Sequence, residues 1–321
     1  LVFMAVVAAV NFRGVGESVK ANVVLTCVEL TGLLIIICIG FWAIGTGQGD
    51  VGRAMEFKAP AEGGGAFWSV IAGTTLAFFA MVGFEDSVNM AEECKEPSRI
   101  FPKVLLAGLF ITGLIYVLVS VSAITLVPPE QLGEGETPLL QVVKAGAPGF
   151  PVELFGFITM FAVANSALIN MLMASRLVYG MSREGVLPPV LGKVHAARRT
   201  PYVAIAFTTL LAFGLITFVG EVPALGGTTA LLLLAVFTMV NICVLVLRRD
   251  KVAHKHFRTP TLLPVLGAAC CAFLVGPWTG RASVQYTIAA VLLGIGVVLW
   301  GVTVLVHRHT LRGAKSPASA G

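Results

Sequence analysis

Charge is what this chain has least of. Of its 321 residues, 12% are Asp, Glu, Lys or Arg, about half the ~25% usual in soluble proteins. Meanwhile 57% are hydrophobic and the mean hydropathy is +0.90. So few charged groups cannot clothe a water-facing surface of this size, and the composition is that of a polytopic membrane protein. The net charge of +5 is therefore read through its placement in loops and does not imply nucleic acid. Cysteines are few and unfit for a framework. Cys27, Cys38, Cys243, Cys270 and Cys271 fall in apolar runs and Cys94 at a basic loop, with no disulfide pattern and no zinc spacing. Cys270 and Cys271 read as small helix-packing residues. His195, His254, His256, His307 and His309 lie in or beside basic loops without companion carboxylates or thiols, so no metal site is indicated. No G-x-S-x-G, H-E-x-x-H or Walker A pattern occurs, and Gly45, Gly47 and Gly49 follow no strand. Enzyme chemistry and cofactors thus have no residues to rest on.

A secretory n-region is missing as well. Residue 1 is leucine, and the apolar run 1–10 is half of the ~20 residues that a span needs. The expectation is a partial span in an N-terminally truncated protein. What the chain does have is apolar runs of membrane length. Spans are expected at about 22–44, 67–94, 104–127, 153–181, 201–219, 224–247, 262–277 and 284–306, eight full ones after the partial one. Residues 45–65 form a Gly-rich polar loop, Pro128-Pro129 stops a span, and 130–151 is a polar, acidic connection. Eighteen of the 22 lysines and arginines fall in alternate loops, leaving Arg53, Lys58, Lys144 and Arg281 on the other side. By the positive-inside rule the richer side and the C-terminus are cytoplasmic. The tail is expected to be disordered, since it is polar and carries no motif.

The stretch 67–102 organises the rest. Residues 67–82 are almost wholly apolar, yet Glu85 and Asp86 follow at once, well inside a segment of membrane length. Neighbouring helical residues point ~100° apart, so the two acids cannot share one interior seam of an intact helix. Each ionised acid at that depth costs about 2.5–3.5 kcal/mol. A helix broken at Gly83 resolves the conflict: a second short helix starts near Asp86 or Ser87 as N-cap, and the freed backbone groups line a polar cavity. The carbonyl end of one half-helix suits an ammonium, and the N–H end of the other suits a carboxylate.

The motif GFEDSVNMAEE followed by KEPSRIFPK resembles the sixth helix and following loop of amino acid permeases in the amino acid, polyamine and organocation superfamily, near the cationic amino acid transporter branch. ALINMLMASRLVYGMSREGVLP resembles its eighth helix and loop, and TALLLLAVFTMVNICVLVLRRD with FRTPTLLPVLG its tenth and eleventh. The resemblance implies an all-α bundle of the leucine-transporter type, in which two inverted repeats carry broken first and sixth helices. Residues 1–308 would be the permease domain, from a partial fourth helix through the twelfth, and 309–321 the cytoplasmic tail. With the first helix absent, residues 1–321 alone are not expected to transport.

The resemblance also implies roles. Phe79 matches the position of an aromatic gate, Val82, Gly83 and Phe84 would offer backbone contacts, and Glu85 matches a family acid near the site. Asn165 and Ser166, with Asn170, read equally as interhelical hydrogen bonds or as site residues. Glu29 stands alone as a charge in its span, where proton-coupled members carry a lysine. The reversed charge forbids carrying that mechanism over. Glu29 reads as a proton carrier, as a cation holder, or as a glutamic acid bonded to a neighbouring helix. The function implied is secondary active transport of amino acids or related organic cations, proton-coupled or by exchange, in the cell membrane. Its partners are the amino acid substrate, a coupling proton or cation and the lipid bilayer, without nucleic acid, cofactor or metal. A non-transporting membrane sensor or subunit on the same bundle is the alternative.

Overall fold

The computed structural model describes residues 2–13, 18–56, 65–85, 87–88, 94–134, 137–250 and 257–313. Among the described residues every regular element is helical: α1 (Val2–Arg13), α2 (Ser18–Gly45), α3 (Ala66–Ala80), α4 (Pro97–Leu126), α5 (Pro129–Leu132), α6 (Pro138–Gly146), α7 (Val152–Arg183), α8 (Tyr202–Phe218), α9 (Val222–Leu247), α10 (Leu262–Val275) and α11 (Ser283–Gly313). Long helices follow from long apolar runs, because in hydrocarbon each backbone N–H and C=O must be satisfied within its own segment. Hydroxyl side chains obey the same rule. Thr31, Thr74 and Thr238 each donate to the carbonyl four residues back, at 2.7, 2.7 and 2.8 Å.

Among the described residues five helices are long and apolar enough to cross a membrane: the 23–45 part of α2, then α4, α7, α9 and the 283–306 part of α11. Of the other three expected spans, α3, α8 and α10 are helices of 15, 17 and 14 residues. At ~1.5 Å per residue, α3 reaches only ~22 Å, short of the ~30 Å hydrocarbon core. Two features differ from expectation. α4 begins at Pro97 rather than at 104, because Pro97 takes the first helical position and needs no N–H partner there. The helix therefore continues through the basic stretch that bounds the apolar run. The connection 130–151 also holds structure that was not expected. It contains α6, whose Val142 and Val143 are fully buried.

The chain forms two compact units, one of residues 1–19, 164–228 and 282–321, the other of 20–163 and 229–281. In the second, Val142 and Val143 join Ile36, Ile39, Ala123, Val127 and Phe155 in one apolar core. The α2 and α4 backbones approach closely there: a Cβ at Gly40 would collide with Ser122, so only glycine permits the crossing. In the first unit, α1 packs on α8 and buries Val7 and Asn11, one turn apart. The loop before α8 closes over the end of α1. The Thr200 hydroxyl donates to the Phe12 carbonyl at 3.2 Å, the His195 ring meets Phe12 edge-on at 5.5 Å, and the Arg198 guanidinium lies 5.2 Å from the Phe12 ring centre.

Candidate functional site

Helix α3 stops at Ala80, inside the apolar stretch, and the chain turns over Met81–Phe84. The stop coincides with Gly83, whose φ of +120° is a strained backbone conformation for residues with a side chain. The freed backbone is satisfied locally. The N–H groups of Met81 and Val82 reach the carbonyls of Phe78 and Phe79 at 3.0 and 3.1 Å, and the Gly83 N–H donates to a carboxylate oxygen of Glu85 at 2.8 Å. Ser87 donates through its N–H and its hydroxyl to the Phe84 carbonyl. Residues 89–93, which a cap at Ser87 or Asp86 would serve, lie outside the described residues. Asp86 itself lies outside the described residues. Among the described residues no hydrogen bond reaches the carbonyl oxygens of Ala80, Met81 or Val82.

An aromatic side chain holds the two sides of the break. Phe237 of α9 meets Phe78 edge-on at 6.0 Å and Phe84 at 5.3 Å with the rings tilted by 33°. Geometries of this kind are worth about 0.5–1.5 kcal/mol per pair beyond area burial. Beside the break lies a cavity of about 360 Å³, walled by Ala80, Met81, Val82, Phe84 and Ser87 and by one face of α4 that includes Gly108, Thr112 and Tyr116.

The residues singled out from sequence are placed as follows. Val82 and Phe84 line the cavity. Gly83 forms the turn, and Glu85, half-buried, braces it. Phe79, the gate position, is 39% exposed and is not part of the cavity wall. Asn165 and Ser166 belong to the other unit. Asn165 is buried, Ser166 is exposed, and the Asn170 amide donates to the Ser166 carbonyl at 2.9 Å, within its own helix. Sequence reasoning passed over Phe237, Gly108, Thr112 and Tyr116. The last two carried a usable signal: hydroxyl-bearing residues one turn apart on an otherwise apolar span.

Long apolar helices, one of which stops before a glycine turn beside a cavity, give the chain the build of a polytopic membrane protein. The chain belongs to the amino acid permease family, whose model matches residues 1–300. It is 26% identical to a methylthioribose transporter of Bacillus subtilis, over 89% of this chain and 60% of that protein. It is 25% identical to the branched-chain amino acid permease BcaP of the same organism, over 82% and 55% respectively. It is 29% identical to the chloroplastic cationic amino acid transporter 9 of Arabidopsis thaliana, over 60% and 32%. The chain thus spans three fifths or less of the length of these relatives.

Proposed function

We propose that this chain is the site-bearing portion of a secondary active transporter of amino acids or related organic cations in a cell membrane, with the Lys- and Arg-rich loops on the cytoplasmic side. The observation that carries the proposal is the stop of α3 before Gly83, where the C-terminal carbonyl end of the helix adjoins a cavity. That end of a helix is the negative pole of its dipole and suits a substrate ammonium. Val82, Gly83 and Phe84 then make backbone contacts, Phe79 closes over the substrate, and Glu85 holds the turn. Glu29 carries the coupling proton or cation. Two of the relatives bear names of amino acid carriers, which supports an amino acid as the solute.

A cysteine at Phe84 in the full-length protein tests this. Water-borne thiol reagent should label Phe84→Cys, and one or more amino acids should protect it in proportion to their uptake into liposomes. Labelling that no amino acid slows would refute the proposal.

A further inference from the structure

The chemistry of the cavity beside the break says what kind of side chain it takes. Its α4 wall is one helical face, with Leu105, Gly108, Leu109, Thr112 and Tyr116 at spacings of three and four residues. No charged side chain lines it among the described residues, and its polar side chains are the hydroxyls of Ser87, Thr112 and Tyr116. The one acid described at the break, Glu85, is turned onto the Gly83 N–H at 2.8 Å and is absent from the wall. A cationic side chain entering this space would lose its water and meet no counter-charge among the described residues, which disfavours it. An apolar side chain instead gains about fourfold in affinity for each methylene removed from water, at ~0.8 kcal/mol per group. Room for it is set by Gly108. A Cβ built there meets nothing within 4 Å, so the wall is open at that point.

We infer that this cavity is the side-chain pocket of the transport site, that it selects amino acids with neutral, largely apolar side chains, and that Gly108 sets the size it admits. The inference rests on the transporter reading above and adds the class of substrate. Thr112 and Tyr116 supply hydrogen bonds that tolerate one polar group near the pocket wall, and Leu105 and Leu109 supply the apolar contact.

The test uses the full-length protein in liposomes with radiolabelled leucine, alanine and arginine. In the parent protein leucine should compete for uptake at least tenfold better than arginine. Gly108→Leu, which fills the open space, should raise the ratio of the leucine KM to the alanine KM at least tenfold, and Gly108→Ala should raise it by a smaller factor. A ratio that stays within twofold of the parent in both variants overturns the assignment of the pocket, and the cavity is then occupied by protein or lipid. If Gly108→Leu yields no measurable uptake, Gly108→Ala decides on the same criterion. Arginine as the better competitor overturns the substrate class alone. Absence of uptake of any amino acid by the parent protein refutes the underlying transporter reading instead.

Discussion

Replacing Gly83 by alanine isolates the backbone geometry of the break from everything around it. A Cβ at Gly83 would have no atom within 4 Å, so crowding contributes nothing. The cost is conformational: φ is +120°, and holding a residue with a side chain in that region costs on the order of 1–3 kcal/mol. At 1.4 kcal/mol per tenfold, Gly83→Ala should adopt the present turn about 5 to 150 times less often. If substrate binds to this turn, the apparent affinity falls by the same factor, because binding must first repopulate the competent geometry. The assay is the KM for uptake by full-length protein in liposomes, set beside thermal denaturation of the same preparation. Gly113 in α4 is the control, since it has equally open space but ordinary helical backbone. Gly113→Ala should gain up to ~1 kcal/mol of helix propensity and leave the KM within twofold. A KM in Gly83→Ala within twofold of the parent, or an equal rise in both variants, would refute the reasoning.

Three further outcomes follow from the same geometry. Glu85→Ala removes the acceptor of the Gly83 N–H and should raise the KM by roughly fivefold, for a hydrogen bond worth ~1 kcal/mol. Glu85→Gln keeps an acceptor and should shift it less, whereas equal losses in both would mean that the charge and not the hydrogen bond matters. A double-mutant cycle with Phe237→Leu and Phe84→Leu should show a coupling of about 0.5–1.5 kcal/mol in denaturation, as expected for an aromatic pair, and zero coupling would contradict the clasp. Glu29→Gln retains shape and hydrogen bonding but cannot release a proton, so uphill uptake should vanish while exchange of internal for external substrate persists. Accumulation against a gradient in that variant rules out Glu29 as the coupling group.

The sequence by itself determined where helices run and where one of them stops. An apolar run of about twenty residues has no other way to satisfy its backbone in hydrocarbon, so the existence of α2, α4, α7, α9 and α11 was legible, though not each of their ends. The break was legible for the complementary reason: a glycine followed by two acids, inside such a run, has no satisfactory place on an intact helix. Tertiary structure alone decided what those groups meet. Glu85 could not be assigned to the Gly83 N–H from spacing, because a carboxylate two residues past a glycine has many rotamers and only the folded turn selects one. Phe237, about 150 residues from Phe84, became its partner through the packing of α9 in the same unit. These helices are apolar around their whole circumference, so periodicity cannot tell which face packs on protein and which on lipid. The face of α4 that carries Gly108, Thr112 and Tyr116 emerged only when the break was set against it. The burial of Val142 and Val143 in α6 was hidden differently. The polar residues around a nine-residue helix masked two valines whose partners, Ile36 and Phe155, lie on other helices.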